Sequence, residues 1–239
     1  MNYLALDAST EACSVALQVN DTIYSRFDIC PQSHSLQLLP MIDDLLKEAG
    51  IELAELDGLI FGQGPGSFTG VRIGVGVAQG LAFSASLPVV GVSSLQAMAQ
   101  LAYVKHEETK VVAAIDARMS EVYNGYYELD DNNIMQAQLE EAVLPPEQLA
   151  AHLSAVVTKP YHAVGTGWDA YPEKLSENLS EQFSSLKTNQ DKVDVLFPSA
   201  EAMLVIGKSL LEQGHGVTAE DAQPVYVRDT VSWQKLPGR

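Results

Sequence analysis

The order of apolar and polar positions divides the chain into short strands and amphipathic helices. Tyr3 to Asp7 is an apolar run closed by an acid, and Cys13, Val15, Leu17 and Val19 then alternate with smaller or polar residues. Continuous and period-two patterns of this kind predict strands. Asn20-Asp21 is a two-residue hairpin signal, so a third strand is expected from Thr22 to about Ile29 and three antiparallel strands open the chain. From Ser33 to Ala49 the period changes. Leu38, Met41, Ile42, Leu45 and Ala49 make one helical stripe and Leu36, Leu39 and Leu46 another, with Pro40 inside and Gly50 as the C-cap. A helix apolar on two sides is expected to be covered on two sides.

The stretch Gly58 to Phe83 organises the rest. A short strand, Leu59 to Phe61, enters a loop with glycine at Gly62, Gly64, Gly66 and Gly70, and a helix follows whose stripe is Val71, Gly74, Val75, Ala78, Leu81 and Ala82. Strand, glycine turn and helix N-terminus together can cradle a phosphate, because glycine admits close backbone approach and the helix start presents unpaired N–H groups. The spacing is degenerate: the loop is one residue too long for G-x-G-x-x-G, and no Lys-Ser/Thr pair follows. Nor is it a nucleophile elbow, since Ser67 stands in Pro65-Gly66-Ser67-Phe68-Thr69. The phosphate-loop-like set is therefore Asp7, Ser9, Gly62, Gly64, Gly66 and Gly70, with Asp7 the one carboxylate the strands can bring near. Weak ATP or ADP binding is the expectation. Gly70 and Gly74, then Gly76 and Gly80, stand four apart, which suits packing on the parent sheet or close approach of another helix.

Farther along, Pro88 to Val92 reads as a strand and Ser93-Ser94 as the cap of a helix reaching Tyr103. Val111 to Asp116, a turn at Ala117 to Ser120, and Glu121 to Leu129 then repeat the opening: Ile115-Asp116-Ala117 mirrors Leu6-Asp7-Ala8. Two related halves are the expectation. Helices are expected after Pro145, over Trp168 to Leu179 and over Pro198 to Glu212, with a polar loop from Ser180 to Lys192.

Composition narrows the function. The chain of 239 residues carries a net charge of -17, which disfavours unaided binding to nucleic acid or an anionic membrane, because such binding rests on a basic surface. A near-neutral mean hydropathy, the absence of a long apolar run and an opening without a basic leader point to a cytoplasmic protein. Cys13 and Cys30 form no CxxC pair, and His34, His106, His152, His162 and His215 are scattered, so no metal site can be read and zinc is argued against. No nucleophile with an evident base emerges.

The opening LALDASTEACSVAL, the loop GQGPGSFTGVRIGVGVAQGLA, the segment IDARMSEVYNGYYE and the tail PVYVRDTVSWQKLPG resemble the TsaB (YeaZ) family of the tRNA threonylcarbamoyladenosine pathway. The resemblance spans most of the chain. It implies an α/β, actin/sugar-kinase/Hsp70-like (ASKHA) fold of two halves, each a mixed sheet flanked by helices: residues 1–104 with the glycine loop, residues 105–214, and a tail, residues 215–239, packing back on the first half. It further implies a non-catalytic scaffold or activator that works with the paralogue TsaD and the ATPase TsaE, meets tRNA only through the complex, and forms a homodimer in isolation. The catalytic paralogue carries a His-x-x-x-His metal pair, of which His34 matches the first position while Leu38 occupies the second. The other class left open is an enzyme in its own right, an ATP-binding kinase-like or glycoprotease-like protein. The partner interface is expected on the first and second long helices, through Leu38, Met41, Ile42, Leu45, Val71, Gly74, Val75 and Ala78.

Overall fold

The computed structural model describes residues 1–157, 161–175 and 194–228. Strands β1 (Asn2–Asp7), β2 (Ala12–Val19) and β3 (Thr22–Ile29) are antiparallel neighbours, and β4 (Gly58–Gly64) and β5 (Val89–Ser93) extend the sheet in parallel, in the order β3-β2-β1-β4-β5. Helices α1 (His34–Ala49) and α2 (Phe68–Ala85) cover one face. There Leu38, Ile42 and Leu45 of α1 and Val71, Val75, Ala78 and Ala82 of α2 meet Leu4, Leu6, Val15, Leu17, Leu59 and Phe61 of the sheet. Burial of each such large side chain contributes on the order of 1.5–3 kcal/mol.

The second sheet repeats the plan. Strands β6 (Lys110–Asp116) and β7 (Val122–Leu129) are antiparallel, the short β8 (Met135–Ala137) and β9 (Ala142–Leu144) both pair with β7, and β10 (His162–Val164) lies parallel to β6. Its order β10-β6-β7-β8 is that of the first sheet without the fifth strand. A short helix α4 (Leu149–Leu153) and the single turn α5 (Gly167–Ala170) cover its outer face through Leu149, Leu153 and Trp168.

Among the described residues two helices lie between the sheets, each packed on the sheet of the other half. Helix α3 (Ser94–His106), assigned by sequence to the first half, packs Leu95, Met98 and Ala102 on Val111, Ala113, Ile115 and Tyr127 of the second sheet. Helix α6 (Ala200–Glu212), assigned to residues 105–214, packs Met203, Leu204 and Ile206 on Tyr3, Ala5, Ala16 and Ile60 of the first. The reason is the strand pattern itself: β1, β2 and β4 are apolar on both faces, so each sheet needs a helix on its inner side, and chain order does not supply it locally. Strand β2 also receives α6 through a hydrogen bond, Ala200 N–H to Ser14 Oγ at 2.9 Å. The expected helix Trp168 to Leu179 is broken at Tyr171, and its last residues, like the expected loop over residues 180–192, lie largely outside the described residues.

Candidate cleft site

The ends of β1, β4 and β6 converge on a cleft of ≈ 970 Å³ between the two halves. Its walls are the β1–β2 turn, the start of α2, the matching β6–β7 turn, and the segment Val225 to Arg228. The duplicated Asp-Ala turns thus face each other across one space. They do not have equal roles.

Asp7 is buried beneath the cleft. Its Oδ1 accepts hydrogen bonds from Ser9 N–H and Ser9 Oγ–H, both at 3.0 Å, while Oδ2 is buried without a partner. Burial pushes its carboxyl up to about 6, against the lowering effect of the two Ser9 hydrogen bonds. Ser94 Oγ, at the start of α3, donates to Ser9 Oγ at 2.8 Å, so the turn is tied to the inner helix layer.

The glycines of the loop are explained by this turn. A Cβ on Gly62 would run into the Asp7 carboxylate, one on Gly66 into Ser9 O, and one on Gly70 into Ala8 O. Ser67 N–H already donates to Ser9 O at 2.7 Å, and Pro65 has no N–H to offer. Gly64 holds a φ of 99° and passes close to Val225 O. The close backbone approach that a phosphate would exploit is taken up by the chain's own main chain. Of the six phosphate-loop-like residues, Ser9 and Gly66 line the cleft; Asp7, Gly62, Gly64 and Gly70 do not.

The second turn is open. Asp116 accepts from Arg118 N–H at 3.0 Å, from the Arg118 guanidinium at 3.2 Å and from Tyr171 O–H at 3.1 Å. Arg118 reaches across the mouth to Glu11 at 3.3 Å. Arg118, Met119 and Ser120 all have positive φ, near 62°, 55° and 62°, a left-handed turn that costs on the order of 1–2 kcal/mol per residue. Contacts that hold it come from Arg228, which bonds Glu121 and Ala117 O and touches Met119 Sδ. On the facing wall the Arg72 guanidinium stacks 3.5 Å from the Phe68 ring centroid and donates to Tyr226 O–H at 2.7 Å. In a chain of net charge -17, three of the 14 basic residues, Arg72, Arg118 and Arg228, line this one cleft. Asp116, Arg118, Glu11, Arg72 and Tyr226 were not picked out as site residues from sequence; the repeated Asp-Ala at a strand end was the signal that could have found the second turn.

The eight residues expected to face a partner are placed otherwise. Leu38, Ile42, Leu45, Val71, Val75 and Ala78 are in the core, Gly74 is buried against Ala8 and Leu6, and Met41 is half-buried. The stripe reads as one apolar face because it meets the sheet. The outward sides of the two helices carry a different set: Leu36 is 74% exposed, Leu39 48% and Phe83 72%, and Gly76 and Gly80 have open space above them. His34 is buried at the start of α1, where Nε2 hydrogen-bonds Thr10 O at 2.7 Å.

Comparison with known proteins agrees with this architecture. The family model described as TsaD, tRNA N6-adenosine threonylcarbamoyltransferase, matches residues 28–235. The tRNA threonylcarbamoyladenosine biosynthesis protein TsaB of Escherichia coli (strain K12) is 46% identical over all of this chain and all of its own length. The protein of that name from Haemophilus influenzae is 42% identical over all of this chain and 98% of its own. A crystal structure from Pseudomonas aeruginosa, described as an uncharacterized protein with similarity to peptidase YEAZ, superposes with a TM-score of 0.83 at 44% identity, covering 95% of this chain and 99% of that one. Two sheets of one strand order, inner helices exchanged between them and a cleft at the strand ends define an α/β protein of the actin/sugar-kinase/Hsp70-like class. Within that class the chain belongs to the TsaB (YeaZ) family.

Proposed function

We propose that this chain is a cytoplasmic, non-catalytic scaffold or activator subunit that works with TsaD and TsaE in the transfer of threonylcarbamoyl to the adenosine beside the anticodon of tRNA. The pathway follows from full-length likeness to proteins named for it. The observation that carries the non-catalytic part is the filling of the glycine loop by Ala8 O, Ser9 O and the Asp7 carboxylate. A cleft so lined offers the arginines and the start of α2 to an anion, but few free main-chain donors, so ATP or ADP is held weakly by the isolated chain.

The partner surface in this reading is the outward face of α1 and α2, which pack side by side on the first sheet. A relative of the same fold offers two equivalent helices, and so does a second copy of this chain, so heterodimer and homodimer compete for one face. The charge of -17 leaves tRNA contact to the assembled complex. Among the described residues no helix is long and apolar enough to cross a membrane. The test is reconstitution of the tRNA modification from TsaD, TsaE and tRNA with and without this chain: modification that needs it, together with no turnover by the chain alone, is expected. Transfer or peptide hydrolysis by the isolated protein would overturn the non-catalytic assignment.

A further inference from the structure

The two cysteines and the first histidine, which look unrelated along the sequence, meet in the fold. Cys13 lies on β2, and the β2–β3 register, Ala12 with Ile29 and Cys13 with Asp28, puts Cys30 opposite Glu11, with Cys30 N–H donating to Glu11 O at 3.0 Å. Strand geometry therefore places both thiols on one face, a diagonal step apart. A tight turn then starts α1, and His34 comes back to the same place. One ligand atom from each of Cys13, Cys30 and His34 lies within 4.8 Å of the other two, and all three residues are buried.

We propose that Cys13, Cys30 and His34 bind a single thiophilic d¹⁰ cation, Zn(II) or Cu(I), at a site bordering the cleft. Four features support it. The donor set is soft, two sulfurs and an imidazole, which suits these ions and not Mg²⁺ or Ca²⁺. Nε2 of His34 is committed to Thr10 O at 2.7 Å, so a neutral ring carries its proton there and leaves Nδ1 with the lone pair. A backbone carbonyl orienting the second ring nitrogen is the usual support of a ligating histidine. A dication with two thiolates and a neutral imidazole is uncharged as a whole, so the buried site needs no further counter-ion. Finally, a tetrahedral ion with Zn–S bonds of about 2.3 Å holds two sulfurs roughly 3.8 Å apart, so spacings within 4.8 Å close by small side-chain rotations.

Burial and the neighbouring Cys30 thiol hold the Cys13 thiol well above the usual thiol range. His34, with Thr10 and Gln32 beside it, lines the cleft, which gives an entry path. The site shares only His34 with the position of the paralogue's histidine pair and takes its other donors from β2 and the β3–α1 turn.

The experiment uses the full chain, reduced, stripped with a chelator and titrated without oxygen. Co(II) is the spectroscopic probe, and Zn(II) and Cu(I) are the competing arms. One equivalent of Co(II) should bind with sulfur-to-cobalt charge-transfer absorption and be displaced by Zn(II). Cys13→Ser and Cys30→Ser should each lose charge-transfer intensity and weaken binding at least about tenfold, the scale set by loss of supporting ligands. His34→Gln should weaken binding while keeping both sulfur transitions. Competition between the two displacing ions then decides which the site prefers. Absence of charge-transfer absorption, or uptake unchanged in the Cys13→Ser/Cys30→Ser double variant, overturns the proposal. Should the serine variants not fold, X-ray absorption of the zinc-loaded wild type decides: two sulfurs and at least one nitrogen support the site, and a shell of nitrogen and oxygen alone overturns it.

Discussion

Single atoms decide what the cleft can do. The positions that look alike in the glycine loop divide by what a methyl group would meet. At Gly66 it would strike Ser9 O and at Gly70 Ala8 O, whereas Gly76 has nothing within 4 Å. Gly66→Ala and Gly70→Ala should each cost about 1–3 kcal/mol through overpacking against main chain that cannot rotate away. Gly76→Ala should stabilise by up to about 1 kcal/mol, since it removes an interior helix glycine at no steric cost. Urea unfolding of the three variants checks both signs. Asp7 gives a pH test. Its carboxyl rises from 3.8 to about 6 on folding because it is buried, so the folded state binds the proton more tightly than the unfolded one. The group therefore costs nothing below pH 4 and progressively destabilises the fold as pH rises to about 6, reaching roughly 1–3 kcal/mol. Asp7→Asn should raise stability at pH 7 relative to wild type, and the difference between the two proteins should shrink as pH falls from 6 to 4. A constant difference over that range would show that Asp7 is not titrating there.

Helices α1 and α2 show what periodicity can and cannot say. Their apolar stripes were legible because burial on a sheet imposes a 3.6-residue period, and the hairpin at Asn20-Asp21 and the repeated Asp-Ala turn were legible because turn chemistry is local. The side that faces outward was not. Period alone does not tell a stripe that faces the sheet from one that faces outward, and here Leu38 and Val75 go to the core while Leu36 and Phe83 go to solvent. The same limit hid β8 and β9, three residues each and too short for any alternation to register. It also hid the meeting of Cys13, Cys30 and His34, which depends on strand register, and the exchange of α3 and α6 between sheets, which depends on long-range packing. The outward face yields a paired prediction. Leu36→Glu and Phe83→Glu should leave the monomer's melting temperature within a few degrees of wild type and weaken dimerisation at least tenfold by analytical ultracentrifugation, with loss of TsaD binding in parallel. Val75→Glu, by contrast, buries a charge in the first core and should prevent folding altogether.

Across the whole molecule, the final described segment joins the two halves. Val217 bridges Val89 on the edge of the first sheet, Val225 N–H donates to Gln63 O at 2.8 Å, Tyr226 accepts from Arg72, and Arg228 ends on the β6–β7 turn of the second sheet. The segment is thus a strap across the cleft, with Arg228 its last anchor among the described residues. Two ion pairs at that place look equivalent on a contact map and should not behave alike. The Arg118 side chain is 75% exposed where it meets Glu11, and an exposed pair of that kind is worth about 0–1 kcal/mol and is screened by salt. Arg228 and Glu121 are 17% and 32% exposed, and Arg228 also supports Ala117 O in a turn whose left-handed residues need holding. Arg228→Ala removes the partner from a half-desolvated carboxylate and frees that turn, and the expected cost is about 1–3 kcal/mol. Arg118→Ala should cost no more than about 0.5 kcal/mol at low salt and nothing measurable at 0.5 M. Denaturant unfolding of both variants at the two ionic strengths separates the cases, and hydrogen exchange localises them: faster exchange in Arg228→Ala should appear at Ala117 to Glu121 and at Val225, on both sides of the cleft. Equal and small effects from the two substitutions would mean that the halves hold together through α3 and α6 alone.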